Sequence, residues 1–231
     1  MTANDTLEDR EAWRDRIREP ALTILLVVEF LAIFVVIPLS GLSVYQFRSI
    51  HGLLVSLLAI GIVVAIARGR IALVLTILAS IVAFVADLLR YETPSALSSS
   101  TFLIAVLAFL GILTAVIGHV VFGPGNVTGH RVRGAVVLYL HFALIFAFLY
   151  AIVLFYVPGA FGEALTTSDP SIGGKFLYFS FTTLTTVGYG DFVPVHPFAR
   201  SVANLEAIIG QLYPATLLAR VVTLQIAARD K

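Results

Sequence analysis

Thr185-Thr186-Val187-Gly188-Tyr189-Gly190-Asp191 stands between two long apolar runs, where a soluble protein would carry an ordinary polar loop. Glycine reaches φ > 0 without steric penalty, so Gly188 and Gly190 let alternate residues turn their carbonyls to one side. Thr186 adds a hydroxyl at the inner end of that row. Val187 and Tyr189 carry side chains large enough to brace it from behind. The stretch reads as a row of backbone oxygens. Set four times around an axis, it would replace the water shell of a bare cation.

The flanks put that row in a membrane. Of 231 residues, 59% are hydrophobic and only 13% charged, which excludes an ordinary soluble domain. A net charge of +1 gives no reason to expect a nucleic-acid partner, and the absence of cysteine rules out disulfides and thiol chemistry. A helix crosses the bilayer with about 20 apolar residues. Six such runs occur: Ala21 to Leu39, Ile50 to Ala67, Ile71 to Leu89, Thr101 to Phe122, Ala135 to Val157, and Pro197 to about Ala227. Pro38 with Ser40-Gly41, Arg68-Gly69-Arg70, Pro94 and Gly123-Pro124-Gly125 punctuate them. The segment between the fifth and sixth runs is too short and polar to cross twice, so it is re-entrant. Thr6 to Glu19 alternates acids and arginines and does not match a cleaved signal peptide. It reads either as a helix on the membrane surface with Trp13 at headgroup level, or as a frayed charged tail.

The seven opening residues resemble the selectivity filter of potassium channels. The resemblance is strong from Ala135 to Ala227 and extends to the first four helices only in number and order. It implies an all-α membrane protein of six transmembrane helices, with a re-entrant pore helix and a filter loop. One chain supplies one filter strand, so it also implies a homotetramer in the lipid bilayer. Oxygens of Thr186, Val187, Gly188 and Tyr189 would coordinate dehydrated K⁺, and Gly190 would shape the outer mouth. Thr185, Asp191 and Tyr178 would support the filter. The bond to Asp191 that a pore-helix aromatic makes in simple two-helix relatives would here come from Tyr178. K⁺ would be the permeant ion, with no cofactor and no enzyme activity. Gly210 lies 20 residues after Gly190, where such channels commonly place a hinge glycine, and Pro214 would add to the bend. Close helix packing is the alternative reading of Gly210.

Residues 1–20 then form a cytoplasmic or interfacial segment, 21–122 a sensor-like four-helix bundle, 123–134 a cytoplasmic linker, and 135–231 the pore domain. With the N-terminus inside, eleven of the fifteen Lys and Arg residues fall on the inner side and four outside. That places both termini in the cytoplasm and the filter loop outside, with a bacterial inner membrane as the expected location. Within the loop, Gly174 to Leu184 reads as the pore helix, its negative end aimed at the centre of the membrane. Tyr178, Phe179 and Phe181 would form an aromatic collar. Voltage-gated relatives carry arginines every third residue of the fourth helix, whereas Thr101 to Phe122 holds none. The short fourth-to-fifth link favours each bundle packing on its own pore, and the chain's end leaves no room for a regulatory domain.

Glu29 and Glu206 lie inside spans and call for buried partners. For Glu29 a hydroxyl or histidine is expected, and for Glu206 one of Thr182, Thr183 or Tyr150. Asp87 should pair with Arg90, and each histidine reads more readily as structural than as a pH sensor. Two other functions remain open to the sequence. One is a non-selective cation channel; the other is a modulatory or receptor-like subunit with a pore fold.

Overall fold

The computed structural model describes residues 21–40, 70–92, 95–123, 129–162, 165 and 171–229. The expected second span and the N-terminal segment lie outside these residues. Helix α1 covers residues 21–40 and contains a widened π turn at Ala32–Val36. That turn directly precedes Pro38, which has no N–H to give and whose ring does not fit a regular ladder. Helices α2 (Arg70–Glu92) and α3 (Ala96–Phe122) follow. Ser95 caps α3 reciprocally: its hydroxyl accepts from Ser98 N at 3.1 Å, and Ser98 Oγ accepts from Ser95 N at 3.1 Å. The chain continues through α4 (Gly129–Tyr156), the short α5 (Ile172–Leu184) and α6 (Pro197–Arg229). Proline opens α6, where its missing N–H costs nothing, and a second proline, Pro214, is carried within the helix.

Several boundaries move from the sequence reading. Helix α3 begins at Ala96 rather than Thr101, α4 at Gly129, inside the stretch assigned to the linker, and α5 at Ile172 rather than Gly174. Three helices among the described residues are long and apolar enough to cross a membrane: Ile71–Arg90, Ala96–Phe122 and Gly129–Tyr156. The apolar part of α1, Ala21–Val35, is shorter. Helix α6 has 33 residues but carries Arg200, Glu206, Gln211 and Arg220. Helix α2 turns Ile71, Val74, Leu78 and Ile81 outward, a surface suited to lipid tails and costly in water.

The interior has two apolar clusters. In the first, Leu22 and Leu25 of α1 pack with Phe109, Leu113 and Ile117 of α3 and with Leu138 of α4. Tyr213 and Leu217 of α6 lean on the same cluster. In the second, Phe146, Tyr150 and Leu154 of α4 meet Phe176 and Phe179 of α5 and Ala199 and Ala203 of α6. Phe161 and Phe192 complete it with stacked rings 5.2 Å apart. The chain after α4 is laced to the chain after residue 191 by Gly162 N to Val193 O at 3.0 Å and Val195 N to Ala160 O at 2.9 Å. The two ends of the segment that contains α5 are thereby held together.

Candidate functional site

The last turn of α5 does not end in free carbonyls. Thr185 N donates to Phe181 O at 3.0 Å, Thr186 N to Thr183 O at 2.9 Å, and Gly188 N to Thr182 O at 3.0 Å. The strand that follows thus folds back onto the helix that precedes it. Its backbone alternates in hand: φ is +58° at Thr186, +51° at Gly188 and +77° at Gly190, with Val187 and Tyr189 at negative φ between them. Alternation of this kind turns successive carbonyls to one side. The two glycines adopt it freely, whereas a β-branched threonine in the left-handed region costs about 1–2 kcal/mol. Gln211 Nε2, from the middle of α6, donates to Thr186 Oγ1 at 3.0 Å and holds the residue there. Sequence reading missed both Thr186 as a third left-handed position and Gln211 as its support. An amide directly after Gly210 was the available signal.

On the flank of the strand, Tyr178 Oη donates to Asp191 Oδ2 at 2.8 Å. The Tyr178 and Tyr189 rings lie parallel, with centroids 6.3 Å apart and planes 2° from each other. The three aromatics of α5 expected to form a collar, Tyr178, Phe179 and Phe181, face different neighbours within the chain. Phe179 turns inward against Tyr150, Phe161 and Phe192, Phe181 meets Phe34 of α1, and only Tyr178 joins the strand. Helical periodicity, about 100° per residue, separates the three.

Behind the strand is a buried polar cluster. Glu206, fully buried on α6, accepts a hydrogen bond from the Tyr150 hydroxyl at one oxygen and meets the Ser180 hydroxyl at the other. Ser180 Oγ also reaches Ala143 O at 2.8 Å. Of the expected partners of Glu206, Tyr150 is present. Thr182 instead satisfies its hydroxyl locally on Phe179 O at 2.9 Å, and Ser180, two residues nearer the start of α5, takes the place beside the acid. Below this cluster Tyr139 Oη donates to Leu184 O at 3.1 Å. A Cβ added to Gly210 would overlap that same Leu184 carbonyl, so α6 and the end of α5 touch backbone to backbone here. Tyr213, between Gly210 and the inner end, donates to Ala135 O at 2.8 Å and stacks with Tyr139. Pro214 follows it within the continuous helix.

Elsewhere, Glu29 of α1 meets His141 of α4, Oε1 to Nδ1 at 2.7 Å, both side chains buried. Asp87 pairs with Arg90 at 2.6 Å, and the Arg90 guanidinium also lies 4.1 Å from the centroid of the Phe102 ring. Arg131 at the start of α4 and Arg220 of α6 converge on the end of α3. Arg131 donates to Gly123 O at 2.9 Å, and Arg220 donates to Phe122 O at 2.8 Å. No group of three acidic, histidine or cysteine side chains able to hold a metal ion occurs among the described residues. The oxygens that a cation could meet along residues 186–190 are those of the backbone and the Thr186 hydroxyl.

The chain is similar to known proteins. An ion-channel family model matches residues 135–226. Over 53 residues the chain is 34% identical to inward rectifier potassium channel Kirbac3.1 of Paramagnetospirillum magnetotacticum, a match covering 23% of this chain and 18% of that one. Over 137 residues it is 33% identical to Protein LctB of Bacillus caldotenax, covering 50% of this chain and 93% of the relative. No solved structure matches.

Proposed function

Because the chain belongs to the ion-channel family, we propose that it is a K⁺-selective channel that conducts passively through residues 186–190. The observation that carries this reading is the alternating hand of the backbone at Thr186, Gly188 and Gly190, directly after a short helix that does not span. Four copies around an axis would bring four rows of oxygens together, and Thr186, Val187, Gly188 and Tyr189 would replace the hydration shell of K⁺. Gly190 shapes the mouth, and Thr185, Tyr178 and Asp191 brace the strand. In a single chain Tyr189 is 72% exposed and Val187 53%, as expected for side chains that neighbouring copies would cover. The likeness to a potassium channel over 53 residues favours K⁺ as the ion.

The chain would cross a bacterial plasma membrane six times, with both termini in the cytoplasm. Each four-helix bundle would pack on its own pore. Supporting that arrangement, α1 and α3 share one apolar cluster with α4 of the same chain. Bending at Gly210 and Pro214 would open the inner end. The test is a bilayer recording of the purified chain alone under opposed K⁺ and Na⁺ gradients. A reversal potential following K⁺ is expected. A potential near zero would mean a non-selective pore, and silence would mean a modulatory subunit.

A further inference from the structure

We propose that Glu206 acts as a neutral carboxylic acid that positions the pore helix, and through it the filter strand; this rests on the channel reading above. Ser180 has one hydroxyl hydrogen and two oxygen neighbours, Ala143 O at 2.8 Å and a Glu206 oxygen. Ala143 O is a carbonyl and can only accept. If Ser180 spends its hydrogen there, the Glu206 oxygen on its other side must bring a hydrogen of its own. Tyr150 also has a single hydrogen, and it points at the second Glu206 oxygen. A charged Glu206 would leave Ser180 Oγ and one of its two oxygen neighbours facing each other with no hydrogen between. A proton on the Ser180-facing oxygen closes the chain: Tyr150 donates to Glu206, Glu206 to Ser180, and Ser180 to Ala143 O.

Placement gives this chain of bonds its role. Tyr150 and Ala143 belong to α4, Ser180 to α5 and Glu206 to α6, so one acid ties three helices together. Tyr150, Ser180 and Glu206 are all fully buried, and both partners of the acid are hydroxyls rather than cations. A charge left there without a cation would be expensive. Ser180 lies one turn before Thr183 and Leu184, whose carbonyls receive Thr186 N and Tyr139 Oη. Fixing Ser180 therefore fixes the turn on which the strand folds back.

The experiment uses the full chain reconstituted in lipid. The infrared difference between wild type and Glu206→Gln at neutral pH should show the C=O stretch of a protonated acid. Tyr150→Phe should move that band to higher frequency, because the acid's C=O loses its donor. Absence of the band, or no movement with Tyr150→Phe, overturns the assignment whatever ion the pore carries. Glu206→Gln keeps one donor and one acceptor and should hold the K⁺ over Na⁺ permeability ratio within about twofold of wild type, while Glu206→Leu should lower it about tenfold. A Glu206→Leu protein with unchanged selectivity overturns the positioning role. Failure of that protein to assemble overturns it as well, since the acid would then hold the fold and not the filter. A wild type without K⁺ selectivity but with the band would refute the channel reading alone.

Discussion

Gly210 of α6 faces the Leu184 carbonyl at the end of α5 so closely that a Cβ would overlap the oxygen. The glycine is required here by close approach, because no other residue lets the two backbones touch. Gly210→Ala must push α6 away from α5, and overpacking of this kind typically costs about 1–3 kcal/mol. Thermal unfolding of the detergent-solubilised protein should show that loss. A protein with wild-type stability and only an altered open probability would instead make Gly210 a hinge and nothing more.

Gly188→Ala should abolish K⁺ current while leaving the chain assembled. A Cβ at Gly188 meets nothing within 4 Å, so the damage comes from φ = +51° and not from a clash. Left-handed backbone costs an alanine about 1–2 kcal/mol, and four chains would pay it around one axis. Single-channel recording together with size-exclusion chromatography checks both halves. Selective current from the assembled mutant would remove residues 186–190 as the conduction path.

The alternating backbone after α5 was legible in part because its glycines are a local signal. Gly188 and Gly190 announce positive φ before any fold is known, and both adopt it. Thr186 was not legible, since a threonine at φ +58° exists only where a distant side chain, Gln211, supports it. Glu206 could be read as a buried acid in need of partners. Which hydroxyl met it depended on the rotation of α5, which turns Thr182 and Thr183 to other faces than Ser180. Glu29 and His141 lie 112 positions apart, so only the packing of α1 on α4 could join them. Span edges were soft for a simpler reason. His130 to Arg133 are polar but helical, and hydropathy does not distinguish a polar helix end from a linker.

Tyr178→Phe removes the donor to Asp191 Oδ2 and leaves the ring stacked on Tyr189. The carboxylate then loses a partner on the outer side of the strand while apolar packing is preserved. Current should decline faster during sustained opening, with the K⁺ over Na⁺ permeability ratio little changed. A time course identical to wild type would show that Asp191 is held by something else.

Glu29 and His141 should be strongly coupled. Both are buried, and the pair joins α1 to α4. Removing one member of a buried pair strands the other, at a cost of about 3–5 kcal/mol. His141→Phe should therefore destabilise the protein severely, while adding Glu29→Leu should recover much of the loss. A double-mutant cycle on unfolding midpoints measures this, and additive effects would show that the contact contributes no coupling.

Gating should depend only weakly on voltage. A charge crossing the whole field gains about 2.3 kcal/mol per 100 mV, and steep gating needs several such charges in each subunit. Helix α3 offers none, since Ala96–Phe122 contains neither arginine nor lysine. The charges of neighbouring helices are tied in place: Glu29 to His141 across helices, and Asp87 to Arg90 within one turn. Neither forms a repeated ladder along which a helix could slide. The end of α3 is itself fastened, because Arg131 and Arg220 both donate to its last carbonyls. Moving α3 across the field would break those bonds without transferring basic charge. Conductance–voltage curves in symmetric K⁺ check the expectation. A limiting slope above about four charges per tetramer would mean that the described helices are not where the field acts.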